Sequence, residues 1–131
     1  MPDWTILPVE SAPDAFGDSY PGEMRMLTAP LGCEQVALTY RRMPQHTGGK
    51  GSHGHFHKTQ EELYFVISGT LQAKLDDEVF DVRGPAMVRV PPHVVRSFWN
   101  DEAEDAHLVI VSMKIDDPQS DFETVQDFWP E

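Results

Sequence analysis

The chain is short of sulfur, of long apolar runs and of basic residues, and each shortage excludes a class of protein. Cys33 is the single cysteine in 131 residues, so no intrachain disulfide can form, and a reducing, cytoplasmic compartment is the natural expectation. No apolar run approaches the ~18 residues that span a bilayer, so no membrane partner is expected. The opening Met-Pro-Asp-Trp-Thr carries neither a basic stretch nor an apolar segment of the secretory kind. Lys and Arg total 10 against 22 Asp and Glu, a formal net charge of −12. A nucleic-acid partner requires a basic surface to neutralise phosphates, and this balance argues against one. Much of the acid falls at the chain ends and in the Asp-Glu-Ala-Glu-Asp run 101–105, which reads as a solvated turn. No helix-turn-helix pattern precedes the central segment, so a DNA-binding regulator is not expected.

Proline and glycine, by contrast, recur every eight to fifteen residues, and the intervening segments have the two-residue period of strands. Val36–Arg42 alternates Val36, Leu38 and Tyr40 against Ala37, Thr39 and Arg41. Leu71–Leu75 and Val79–Val82 flank an Asp-Asp-Glu turn, Met87–Val90 and Val94–Trp99 flank a Pro-Pro turn, and Ala106–Met113 is the longest β-branched run. Many short strands with regular turn signals imply an all-β sandwich or barrel. With no repeat or low-complexity linker, residues 1–131 are expected to form one domain, with a motif-bearing core at 49–100, an N-terminal arm at 1–30 and a C-terminal tail at 116–131.

The strand expected at Glu62–Ser68 is apolar on both faces, since Tyr64 and Val66 follow Glu62 on one and Leu63, Phe65 and Ile67 occupy the other. Such a strand is covered on both sides. Trp4, Ile6 and Leu7 of the arm, or a second subunit, are the candidates for the outer cover. The tail carries Phe122, Phe128 and Trp129 among acidic residues and is expected to dock on its own domain or on a dimer mate.

The chemistry is concentrated between Gly49 and Gly69. His55 and His57 share a face of one strand, and Glu62 opens what reads as the neighbouring strand after a short turn. Two imidazoles and a carboxylate converging on one point, with positions left open, is the facial set expected of non-haem Fe(II) or a related divalent ion. Imidazole and carboxylate suit Fe, Mn, Ni, Co or Zn equally, so the donors alone do not choose the metal.

The spacing Gly49, His55, His57, Glu62, Gly69 resembles the first motif of the cupin superfamily at every defined position. Its second motif is similar to Gly84-Pro-Ala-Met-Val-Arg-Val-Pro91-Pro-His93-Val-Val-Arg96-Ser-Phe-Trp-Asn100, with Pro91 and Asn100 in place. Gly84 lies one residue further from Pro91 than the pattern asks, His93 replaces its glycine, and Arg96 replaces its fourth metal ligand. The resemblance implies a jelly-roll β-barrel, a metal at His55, His57 and Glu62, and a homodimer.

Arg96 is the departure that matters, because guanidinium has no lone pair to offer a metal. Three arrangements follow. The metal stays on three ligands while Arg96 holds an anionic substrate group. Alternatively, no metal binds and Arg96 pairs with Glu62. In the third, Arg96 turns outward and His53 or His93 completes the metal shell. Tyr64, Phe98 and Met113 share the inward parity and are read as pocket wall, Tyr64 and Phe98 as substrate contacts. His46 and His107 are read as loop and strand-end histidines, and Gln60 and Glu61 as solvated turn residues. The function expected is a small metal-dependent cupin, oxygenase-like or isomerase-like, acting on a small polar, anionic molecule. Its rival is a non-catalytic barrel that binds or senses a small ligand.

Overall fold

The computed structural model describes residues 3–131, so Met1 and Pro2 of the expected arm lie outside the described residues. Eleven strands are present among these: β1 Glu23–Met26, β2 Val36–Met43, β3 Thr47–Gly48, β4 Ser52–His57, β5 Glu62–Ser68, β6 Thr70–Leu75, β7 Glu78–Arg83, β8 Ala86–Val90, β9 Arg96–Asn100, β10 Ala106–Met113 and β11 Phe122–Trp129. They build two antiparallel sheets, β1-β2-β10-β5-β8 and β11-β4-β9-β6-β7, with β3 beside β9. This is a single-domain jelly-roll β-barrel. The two sheets enclose one core made by Met43, Tyr64, Val66, Leu71, Ala73, Val90, Phe98, Ala106 and Leu108.

Register explains which residues enter the barrel. On β5, Glu62, Tyr64 and Val66 stand level with Ser112, Ile110 and Leu108 of β10, and with Val90, Val88 and Ala86 of β8. The row thus shares one face, and Tyr64, Val66, Leu108 and Val90 on it are buried. The expected strand β4 and its partner β5 do exist, but they are not neighbours. β4 pairs with β9 and β11, and β5 pairs with β8 and β10, so the pair face each other across the interior. The segment between them therefore crosses from sheet to sheet. This is why Gln60 is buried, donating to Ser112 Oγ (3.1 Å) and Met113 O (2.7 Å), and is not a solvated hairpin residue.

Two motif residues have clear backbone duties. Gly69 turns β5 into β6 at φ +82°, where a Cβ would stand 2.6 Å from Asp105 O. Asn100 is buried and donates to Met43 O (2.8 Å) and Glu104 O (2.9 Å), which pins the acidic 101–105 turn to the barrel. The expected strand Val94–Trp99 begins two residues later than anticipated, because Val95 N–H is taken by the Asp76 carboxylate at 2.9 Å.

Both termini differ from a simple arm and tail. Trp4 and Ile6 are 72% and 88% exposed, so they do not cover the outer face of β5, where Phe65 and Ile67 remain open. Further along, the arm carries Phe16 and Tyr20 to the interior cavity, and Tyr20 Oη accepts from Gly48 N at 3.0 Å. At the other end, half of the 116–131 segment is strand: β11 lies beside β4, with Phe122 level with His57 and Thr124 level with His55. No helix is long and apolar enough to cross a membrane among the described residues.

Candidate metal centre

Alternation along β4 sends His55 and His57 to the same face, and Glu62 meets them from the facing sheet. His57 Nε2 lies 3.3 Å and His55 Nε2 3.6 Å from Glu62 Oε1. The three donor atoms lie within 4.8 Å of one another. Metal–ligand bonds of about 2.1 Å at octahedral to tetrahedral angles separate donors by about 3.0–3.4 Å, a range that the His57–Glu62 separation meets and the His55–Glu62 separation slightly exceeds.

Glu62 Oε1 is the hub of a wider group. Tyr64 donates its hydroxyl to it at 2.6 Å, and Arg96 Nε stands 3.7 Å away. Burial by itself would raise the Glu62 carboxyl, but the contacts from His55, His57 and Tyr64 outweigh it and hold the group well below the usual carboxylate range. Burial also pushes the His55 imidazole down, partly opposed by Glu62, which favours the neutral form a metal needs. The Tyr64 phenol is pushed well up, first by burial and then by the neighbouring carboxylate, so it stays a donor.

Behind His57 stands a carboxylate that the motif does not contain. Asp121 Oδ2 lies 3.4 Å from His57 Nδ1, on the ring edge away from Glu62. Asp121 is itself buried and fixed by Thr59 N (2.8 Å), the Thr59 hydroxyl and Gln60 N (3.1 Å). The contact is an ion-pair approach without a formed hydrogen bond, on the side from which a carboxylate can steady a ligating histidine and raise its basicity. Nothing in the sequence marks this partner, which is 64 positions away and closes the helical turn Pro118–Asp121.

Arg96 lies opposite His55 in the β4–β9 register and is 0% exposed. The outward arrangement of Arg96 is therefore not the one adopted. Its Nε and Nη1 have no hydrogen-bond partner, and Nη2 reaches only Val90 O at 3.5 Å. Of the other candidate ligands, His53 is exposed with Nδ1 beside Ser52 Oγ (2.9 Å), and His93 is exposed in the turn at φ +71°. Neither joins the three-residue cluster. Phe98 is buried with its ring 4.4 Å from that of Tyr64, as pocket wall should be. Met113 is not pocket wall. It is 61% exposed, because Ser112 takes the inward place level with Glu62. His46 is exposed and stacks on Trp99, as a loop histidine should, and half-buried His107 near the start of β10 is satisfied by Tyr40 Oη 2.7 Å from its Nδ1, as a strand-end histidine should be.

His55, Tyr64, Arg96 and Phe98 line a cavity of about 850 Å³ that opens beside the cluster. Arg41 lines it too, and sequence reasoning missed that role. Its parity with Ala37 and Thr39 was the available signal, but apolar Val36, Leu38 and Tyr40 on the other face obscured which side was inner.

The family described as a cupin domain matches residues 42–112, more than half of the chain. No curated protein matches the sequence. Among solved structures, a sugar phosphate isomerase from a cupin superfamily of Silicibacter pomeroyi is 18% identical with a TM-score of 0.71, covering 94% of this chain and 93% of that one. A predicted oxalate decarboxylase from Thermotoga maritima is 13% identical with a TM-score of 0.69, covering 85% and 100%. A longer chain from Acidithiobacillus ferrooxidans is 18% identical with a TM-score of 0.62, covering 82% of this chain, which spans 64% of that one. At these identities the likeness is one of fold.

Proposed function

The chain belongs to the cupin domain family, and from that premise we propose that it is a small metal-dependent enzyme acting on a small polar organic anion. One observation carries the reading: two imidazole Nε2 atoms lie 3.3 and 3.6 Å from a single oxygen of a buried carboxylate, at the edge of a deep cavity. His55, His57 and Glu62 would hold one divalent ion of Fe, Mn, Ni, Co or Zn. Such an ion polarises a substrate oxygen, lowers the pKa of bound water or, as iron, supports oxygenase chemistry.

The chain's own residues divide the remaining work. Arg96 presents Nε and Nη1 without protein acceptors, and a substrate carboxylate or phosphate supplies those acceptors. Tyr64 keeps its proton on the carboxylate side of the cavity and fixes Glu62 in one orientation. Phe98 walls the site from the buried side, and Phe122 lines it with its ring 5.3 Å from that of His55. Two of the similar structures, named a sugar phosphate isomerase and a predicted oxalate decarboxylase, agree in kind, since sugar phosphate and oxalate are both small polar anions. An isomerase or an oxygenase is the favoured class.

A second reading, a metal-free barrel that binds or senses an anion, is favoured by the 3.7 Å approach of Arg96 Nε to Glu62. Metal analysis of the purified protein separates the two. About one ion per chain, lost in His55→Ala and His57→Ala with the fold retained, supports the enzyme. Full metal content in both variants refutes the ligand set. The open outer face of β5 also supports a homodimer, and light scattering that finds only monomer at high concentration removes it.

A further inference from the structure

The cavity beside the cluster is charged in the opposite sense to the rest of the molecule. Arg41, Lys50 and Arg96 line it, three of the ten basic residues, while Glu62 stands at its edge with Oε1 3.7 Å from Arg96 Nε. In a chain of net charge −12 this concentration makes the interior selective for anions. Two of the three cations are also unsatisfied. Arg41 Nε and Arg96 Nε are buried without a hydrogen-bond partner.

They come from facing sheets. Arg41 on β2 stands level with Leu108, which stands level with Val66, so the Arg41 row enters the barrel one residue pair along from Tyr64. Arg96 enters from β9 on the other sheet. The Arg41 guanidinium sits over the Phe16 ring, 5.5 Å from its centroid, a contact that leaves its N–H groups unused. Burial pushes this guanidinium below its ordinary range, and only the phenols of Tyr20 and Tyr64 oppose the shift. Tyr64, Phe98 and Ile110 form apolar wall in the same cavity. A neutral occupant offers these guanidiniums only uncharged acceptors, a cationic one is repelled, and an anion with one acidic group makes a charge-assisted contact with one of them.

We propose that the barrel binds a small organic molecule with two acidic groups, one held by Arg96 near Glu62 and the other by Arg41 across the cavity. The carbon skeleton between the groups packs on Tyr64, Phe98 and Ile110. This rests on the anion-holding role given to Arg96 above and adds the second contact and the ligand class.

Calorimetric titration of matched acids tests it: succinate against butyrate, glutarate against valerate, adipate against hexanoate, and 3-phosphoglycerate against glycerate for a phosphate end. At least one two-acid compound should bind about tenfold or more tighter than its one-acid partner, the effect of one charge-assisted contact. Arg41→Met should abolish that preference by lowering two-acid affinity to the level of the one-acid partner. Ligand-free Arg41→Met should also unfold at the same or a higher temperature, because an unpaired buried charge has been removed. The proposal is overturned if no two-acid compound outbinds its partner, if Arg41→Met keeps the preference, or if that variant melts several degrees lower. Preference without bound metal leaves this proposal standing and removes the metal reading. Bound metal with equal affinities removes this proposal alone.

Discussion

Arg41 and Arg42 are adjacent on β2, yet they face opposite sides of the sheet and meet opposite chemistry. Outside, Arg42 Nε lies 2.6 Å from Glu23 Oε2 and Nη1 lies 3.1 Å from Asp105 Oδ2, so its guanidinium ties β2 to β1 and to the acidic turn. Inside, Arg41 has its Nε buried without an acceptor. Glu61 and Glu62 repeat the contrast. Glu61 pairs with Arg89 at 2.9 Å at the surface, whereas Glu62 collects two histidines, a tyrosine and an arginine in the interior. These outer charges have opposite charges in reach, Arg42 two of them, so they tie neighbouring segments together and contribute little energy. Inner charges are left with spare donors or acceptors, which is costly to the fold and useful only when something else binds.

Substituting Arg96 should produce the largest effect. Arg96→His removes a fixed positive charge from beside Glu62 and supplies a lone pair, so metal affinity in competition with a chelating dye should rise by at least about tenfold. The same variant should lose anion affinity by about 1.5–3 kcal/mol in calorimetry. Both moving in the same direction would break the distinction between inner and outer charge.

A smaller loss is expected from Asp121→Asn. With His57 less firmly oriented, metal affinity should fall by about tenfold while far-ultraviolet dichroism stays unchanged. Unchanged affinity would show that Asp121 belongs with the structural charges.

The acid limb of stability sharpens the comparison next. Glu62 and Glu23 both have carboxyls held below the ordinary 4.5, Glu62 by the contacts that outweigh its burial and Glu23 by Arg42 and Arg25. A depressed carboxyl contributes stability that is complete above its unfolded value and lost as the pH falls through its folded one. Thermal melts of metal-free protein should therefore decline below about pH 4.5. Glu62→Gln should flatten that decline more than Glu23→Gln, and the reverse order would contradict the placement of the stronger cluster inside. Least of all, Arg42→Ala should cost no more than about 1 kcal/mol in denaturant unfolding, as an exposed pair does.

The inner set was only partly legible in the sequence. His55, His57 and Glu62 were readable because strand parity and a fixed spacing confine them. The sheet crossing between β4 and β5 was not, since a short turn and a short crossover occupy the same few residues, and Gln60 was misassigned as a result. β10 is apolar on both faces, so its parity carried no sign and Met113 was placed inside when Ser112 is. Arg41 was hidden by the same ambiguity on β2. Asp121 and the pairing of β11 depend on contacts between distant segments, for which local pattern has no signal. The strand character of half of the expected tail follows from the edge that β4 leaves free.

Trp99 lines the cavity and stacks its indole on His46, while Trp129 is buried and Trp4 is largely exposed. The protein thus carries three fluorophores in three different surroundings. Occupancy of the cavity can be followed optically: a soluble quencher reaches Trp4 freely, hardly touches Trp129, and loses access to Trp99 as the cavity fills. With Trp4 replaced by phenylalanine, the remaining quenchable emission becomes a label-free readout of what enters the barrel.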